Sequence, residues 1–299
     1  MRGLRDRLDA GDVLVGDGAW GTMLMARGLR PGDAPEAFTL AHPDVIEAIT
    51  RLYVEAGADL VTTNTFGGSP LRLRSFGLDE RTEAINRAAV EVLRRAVGGR
   101  ALVSASIGPS GHLLQPYGGV TAADAAASFA RQARALAGAG VDVFCVETMT
   151  DVEEARLAVE AARAAAPGVP IIATMTFERT RRGFFTIMGV SVARAAEVLT
   201  AAGADVIGSN CGNGIDEMVD LARAFREVTR APLAIQANAG RPVSRDGTLV
   251  YPETPEQFAA AVPALLKAGV RIVGGCCGTT PAHVRAIRAA VDAARQGGR

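Results

Sequence analysis

Short, strand-like apolar runs alternate with long alanine-rich stretches of helical period from one end of the chain to the other. The runs fall at residues 13–15, 59–63, 102–106, 141–146, 170–175, 204–207, 232–236 and 270–273. Short strands that are apolar on both faces and separated by helices predict a parallel sheet buried on both sides. Eight such units in one chain predict an α/β fold of the (β/α)8 TIM barrel type. An open doubly wound sheet is the alternative. The count of eight, and the unusual residues after the eighth run, favour the barrel.

An internal echo supports the repeat. Ala56-Gly57-Ala58-Asp59, Ala139-Gly140-Val141-Asp142, Ala202-Gly203-Ala204-Asp205 and Ala268-Gly269-Val270-Arg271 each join the end of a helical stretch to the start of a run. A glycine there ends a helix by adopting positive φ. Thr254-Pro255-Glu256-Gln257 carries a capping threonine, a first-turn proline and a capping-box glutamine, and Thr280-Pro281 starts the last helix in the same way. No linker or low-complexity stretch interrupts the pattern, so residues 1–299 are expected to form a single domain.

In such barrels the chemistry lies on the loops that follow the strands. The unusual residues cluster there: Asp17-Gly18-Ala19-Trp20-Gly21 after the first run, Asn64-Thr65-Phe66 after the second, and Glu147-Thr148 after the fourth. Asn210-Cys211 follows the sixth, and Gly274-Gly275-Cys276-Cys277-Gly278 the eighth. Three of the four cysteines therefore sit on two rim loops. Three thiolates and an open fourth position suit a zinc ion that accepts a substrate. Neighbouring strand residues face opposite ways, so Cys276 and Cys277 share one metal only where the strand has ended and the chain turns. Gly274, Gly275 and Gly278 permit that turn. A strained Cys276–Cys277 disulfide or buried structural thiols are the alternatives. Cys145, inside an apolar run, is expected to be core.

A zinc ion with three thiolates is a weak Lewis acid, yet it lowers the pKa of a fourth thiol and holds it as a nucleophile. Alkyl transfer to a thiol is the natural chemistry. Asp17 and Glu147 suit a substrate ammonium group, and the backbone N–H groups of Gly18-Ala19-Trp20-Gly21-Thr22 suit a carboxylate. Asn64, Asn210 and Asn238 either line the site or only close turns. Together these features describe an amino acid bearing a thiol. The three histidines lack ligand spacing and are expected to be structural or on the surface.

Composition narrows the field. The charge balance of 32 basic and 32 acidic residues gives no basic surface for nucleic acid. No apolar run reaches membrane-spanning length and the first residues lack a signal peptide's apolar core. With few cysteines, a reducing cytoplasmic setting is expected. A Schiff-base aldolase needs a lysine at a strand end; Lys267, the single lysine, precedes the eighth run instead. A phosphate-binding barrel leaves the cysteines unexplained. A non-catalytic zinc or corrinoid-protein binding module would be expected to close its zinc with a fourth protein ligand, and only three are evident.

Asp17-Gly18, Thr63-Asn64-Thr65-Phe66, Gly108-Pro109, Glu147-Thr148, Asn210-Cys211 and Gly274-Gly275-Cys276-Cys277-Gly278-Thr279-Thr280-Pro281 together resemble the zinc-dependent homocysteine S-methyltransferase family, from about residue 12 to 290. The resemblance implies a (β/α)8 barrel with zinc on Cys211, Cys276 and Cys277. It also implies homocysteine as methyl acceptor, with its amino group at Asp17 and Glu147 and methionine as product. Family members use methylcobalamin, betaine or S-methylmethionine as donor. Gly67 and Thr148 stand where the betaine enzymes place tyrosines, and residues 31–35 lack their tryptophan; Trp20 supplies at most one face of a cage. The strings Thr63-Asn64-Thr65-Phe66, Asn238-Ala239-Gly240 and Gly278-Thr279-Thr280-Pro281 are closer to the homocysteine domain of cobalamin-dependent methionine synthase. The expected donor is therefore methylcobalamin, met on a partner corrinoid protein or beside the folate and cobalamin modules of a longer enzyme. Residues 177–187 are expected to form a basic-tipped hairpin.

Overall fold

Eight parallel strands carry the predicted repeat: Leu14–Val15, Leu60–Thr62, Leu102–Ile107, Val143–Met149, Ile171–Met175, Val206–Asn210, Leu233–Ala237 and Val270–Gly275. They are called the first to eighth strands below. The computed structural model describes residues 2–245 and 248–297. The strands pair in the order first, eighth, seventh, sixth, fifth, fourth, third, second, with helices between them, forming a nearly closed (β/α)8 TIM barrel.

The seam between the first and second strands is closed by two aspartate side chains and one backbone bond rather than by a ladder. At its lower end Asp59 N–H donates to the Val15 carbonyl at 2.7 Å, and its carboxylate accepts from Val15 N–H at 2.8 Å. At its upper end Thr62 N–H donates to Asp17 Oδ2 at 2.8 Å and Thr62 Oγ1 donates to Oδ1 at 3.0 Å.

The internal echo has a structural reason. Gly57, Gly140, Gly203 and Gly269 all have positive φ, which ends the preceding helix. In the first three units the aspartate two residues after that glycine reaches the preceding strand, whereas the fourth carries Arg271 there. Asp142 N–H donates to the Val103 carbonyl at 3.0 Å while its carboxylate accepts from Val103 N–H at 2.8 Å. Asp205 makes the same two-way contact with Ile171, at 2.8 Å each way. These carboxylates satisfy strand N–H groups at the barrel base that lack a ladder partner. Asp142→Ala is thus expected to cost about 1–3 kcal/mol by leaving the buried Val103 N–H unpaired. Urea denaturation reads this, and Asp142→Asn, which keeps an acceptor, should recover most of the loss.

Within the barrel, inward positions recur every second residue along each strand. At the base Leu14, Leu60, Leu102, Val143, Ile172, Val206, Ala234 and Ile272 form one apolar cluster with Cys145, sealed by Leu4 from the helix Leu4–Asp9. Cys145 is core, as expected. Towards the strands' C-terminal ends the same rows become polar: Ser104 then Ser106, Cys145 then Glu147, Gly208 then Asn210, Gly274 then Cys276. A dry base thus carries a polar floor for the rim. The larger apolar cluster lies between the strands and the outer helices, with Phe129, Phe144, Phe225 and Phe258 fully buried.

Two hairpins project from the rim. Glu178–Thr180 pairs antiparallel with Gly183–Phe185, the expected basic hairpin. Val243–Arg245 pairs with Thr248–Val250 after the seventh strand. The second was not anticipated, although two short runs rich in β-branched residues and two residues apart were the available signal. The capping box at residue 254 is present, with Thr254 N–H donating to Gln257 Oε1 at 2.7 Å.

Candidate metal centre and substrate pocket

The sixth and eighth strands bring the cysteines together. The Sγ atoms of Cys211, Cys276 and Cys277 all lie within 4.8 Å of one another, and those of Cys211 and Cys277 are 3.9 Å apart. All four cysteines are free thiols. The eighth strand ends at Gly275, and the chain then turns: Thr279 N–H donates to the Cys276 carbonyl at 3.1 Å. Gly278 makes the turn with φ 78°, and a Cβ there would meet Tyr251 at 2.1 Å. Gly274 and Gly275 remain in the strand, so the turn does not rest on them. At Gly275 the need is space, since a Cβ would lie 2.3 Å from Thr279 Oγ1. Cys211 itself adopts φ 63°, uncommon for a residue with a side chain, and its N–H donates to the Gln236 carbonyl at 3.1 Å. Cys277 N–H donates to Asn238 Oδ1 at 3.1 Å.

The donor set fits a tetrahedral zinc ion. With Zn–S bonds of about 2.3 Å, tetrahedral sulfurs stand about 3.8 Å apart, close to the observed Cys211–Cys277 separation. Among the described residues the cluster offers three donors. Without a metal, thiol hydrogen bonds from Cys276 and Cys277 pull the Cys211 pKa well below its ordinary value, while Cys211 pushes Cys276 and Cys277 up. The three sulfurs thus bias one another's ionisation through these thiol hydrogen bonds. Binding a cation requires the remaining protons to leave.

The cysteines line one side of a pocket of about 310 Å³ that also meets Asp17, Gly18, Trp20, Gly21, Asn64 and Glu147. Asp17 is 2% exposed; its Oδ2 accepts from Trp20 Nε1 at 3.0 Å as well as from Thr62. Burial outweighs these donors and raises its pKa to about 6. Asp17 therefore joins the barrel seam and the pocket at once. Glu147 accepts from Ser106 Oγ. Burial first, then the nearby Asp17, raises its pKa to about 7; its contact with the pocket lets solvent moderate that shift. Gly18 sits where a Cβ would meet Thr279 Oγ1 at 2.8 Å and Tyr53 at 3.0 Å, so the loop packs against the eighth-strand turn.

The two asparagines have distinct partners. Asn64 Nδ2 donates to the Pro35 carbonyl at 2.6 Å and to Thr39 Oγ1 at 3.1 Å, pinning the helix Pro35–Ala41 over the pocket edge. Asn210 is fully buried, immediately before Cys211. Two pocket residues were not singled out from the sequence. Glu36 is 4% exposed and accepts from Gly67 N–H at 2.7 Å. Tyr251, after the second hairpin, has its pKa pushed up to about 12, by burial first and then by Cys277. Neither sits at the end of a barrel strand: Glu36 lies on the helix Pro35–Ala41 and Tyr251 follows the second hairpin. A larger surface groove of about 580 Å³ beside Phe38 and His42 holds none of the predicted site residues. His283 is buried, with Nε2 3.1 Å from the Glu253 carbonyl and Nδ1 accepting from Thr280 N–H at 3.1 Å, a helix-start role.

A TIM barrel whose thiols and carboxylates meet at the C-terminal ends of its strands has the layout of a barrel enzyme. The family model for homocysteine S-methyltransferases matches residues 14–291, and the chain belongs to that family. It is 33% identical to methionine synthase of Mycobacterium tuberculosis over 93% of its own length and 24% of that protein. The chain thus spans about a quarter of that relative. It is 29% identical to betaine–homocysteine S-methyltransferase 1 of Danio rerio, covering 98% of this chain and 76% of the other. The metallated form of the homocysteine methyltransferase MmuM from Escherichia coli superposes with a TM-score of 0.80 at 26% identity, over 96% of this chain and 99% of that one. No helix among the described residues is long and apolar enough to cross a membrane.

Proposed function

We propose that this chain methylates the thiol of homocysteine to give methionine, with a zinc ion held by Cys211, Cys276 and Cys277. The observation that carries the reading is the convergence of three sulfurs on a pocket that also holds the buried Asp17 and the half-buried Glu147. Zinc bound there would keep a substrate thiol ionised at neutral pH. Asp17 and Glu147 hold the substrate ammonium, and the loop from Gly18 to Thr22 offers backbone N–H groups to its carboxylate. Glu147 is oriented by Ser106. Trp20, Phe66 and Tyr251 form apolar walls that limit water near the sulfur. The substrate sulfur takes the methyl group and the donor leaves with the bonding electron pair.

Methylcobalamin on a corrinoid protein is the proposed donor, supported by the likeness to methionine synthase. One observation favours a second reading. Among the described residues the pocket lining contains Asp17, Glu36 and Glu147 but no lysine, arginine or histidine, and it presents three aromatic side chains. Those features suit a methylated onium donor such as S-methylmethionine or betaine. Zinc-loaded, reduced protein is tested with homocysteine and each donor in turn, with methionine measured. Methionine from methylcobalamin, absent in Cys277→Ala, supports the first reading. Methionine from an onium donor alone moves the assignment to the second. No methionine from any donor, in protein confirmed to hold zinc, overturns the proposed activity.

A further inference from the structure

Asn210 lies behind the pocket lining, and its side chain contacts lining residues from two separate strands. Its Oδ1 accepts from Thr148 N–H at 2.8 Å and from Thr174 Oγ1 at 2.8 Å. A backbone N–H can only donate, so this contact fixes which end of the carboxamide is oxygen. The Nδ2 end therefore faces Thr148 Oγ1 at 2.7 Å, Glu147 Oε2 at 3.4 Å and Cys276 Sγ at 3.9 Å. One hydrogen serves the threonine. The other is left between the fourth-strand carboxylate and the eighth-strand sulfur. The backbone at Thr148 is held at φ 62°, a conformation that a residue with a branched Cβ rarely adopts. The clamp from Asn210 on both its N–H and its hydroxyl explains how it persists.

We infer that Asn210 is a positioning residue whose single carboxamide aligns the Glu147 carboxylate with the Cys276 sulfur, and so sets the substrate's ammonium anchor against the sulfur site. This rests on the proposed function. Asn210 contacts no substrate in this role. Its N–H draws electron density from the Cys276 sulfur, as outer-shell donors do at metal sites, and the same group limits rotation of Glu147. A neutral amide suits both tasks, because it can donate to a carboxylate and to a sulfur ligand without adding charge. A purely structural role would be confined to holding Thr148.

The two roles separate by experiment in protein loaded with cobalt(II), whose thiolate charge-transfer bands report the sulfur ligands directly. Asn210→Ala is expected to shift those bands to lower energy, because Cys276 loses an N–H donor. Homocysteine, titrated through the same bands, should bind about tenfold more weakly or worse. Thr148→Gly relieves the strained backbone without touching Glu147 or Cys276. If Asn210 only holds Thr148, the Asn210→Ala/Thr148→Gly double variant regains wild-type bands and affinity, which would overturn the inference. If Asn210 positions Glu147 and Cys276, the double variant stays impaired. Should Asn210→Ala not fold, Asn210→Asp keeps size and the Oδ1 acceptor while removing the amide donor. Unchanged bands and unchanged affinity in that variant overturn the inference equally. A wild-type protein whose bands ignore homocysteine would count against the proposed function instead, while the band shift still reads the Asn210–Cys276 contact.

Discussion

Cys277→Ala protein is expected to lose zinc and homocysteine-dependent turnover together while keeping its fold. The three sulfurs are the only cluster of potential metal ligands of this kind among the described residues. Removing one leaves two thiolates for an ion that takes four ligands. Loss of an outer-shell partner typically lowers metal affinity or activity by about 10–100-fold, so loss of a direct ligand should exceed that. Cys276→Ala and Cys211→Ala should behave alike. The fold should survive because Cys277 lies on the rim, beyond the apolar base sealed by Leu4. Metal analysis, turnover and circular dichroism on the same preparations check each part. A Cys277→Ala protein with full zinc and full turnover would remove the metal mechanism altogether.

Glu147→Gln should separate substrate binding from stability. Glutamine keeps the shape but removes the charge that faces the substrate ammonium. A charged hydrogen bond is worth about 1.5–3 kcal/mol, so the KM for homocysteine should rise roughly 10–100-fold, with zinc content unchanged. The metal-free stability should move the other way. Burial raises the Glu147 pKa to about 7 from an ordinary value of 4.5. The folded state therefore holds this proton more tightly than the unfolded state does. That contribution is fully present below about pH 4.5, falls as pH rises, and is gone above about pH 7. At pH 8 the wild type carries the burial penalty of an ionised carboxylate and the glutamine variant does not. The variant should thus melt higher than wild type at pH 8, with the gap closing near pH 4.5. Asp17, raised to about 6 from 3.8, adds a second fall between those values that the variant retains. Thermal melts of both proteins across this range test the sign. A variant that melts lower at every pH would show that the Ser106–Glu147 contact outweighs the burial of charge.

Much of the site was legible because the barrel turns sequence position into spatial position. Once eight runs are recognised, residues just past each run must share one rim, and Asp17, Glu147, Cys211, Cys276 and Cys277 follow. The two-residue period then explains why Glu147 and Asn210 face inward beside Cys276. Glu36 and Tyr251 escaped because they reach the pocket from a short helix and from beyond a hairpin, positions that periodicity does not mark. Asn64 was open between lining the site and closing a turn; its amide holds a neighbouring helix at the pocket edge.

The chain's own pattern was sufficient for the barrel, its helix caps, the dry base around Cys145 and the identity of the convergent cysteines. Each of these follows from local periodicity or from residue type at a strand end. Only the tertiary structure decided that Asp17 also closes the barrel seam, that the repeated aspartates pair with the preceding strand, and that one buried amide at Asn210 reaches the fourth strand, the fifth strand and the turn after the eighth. Those roles depend on where side-chain donors and acceptors meet across strands distant in sequence. Such meetings are set by register and packing, which no local pattern encodes.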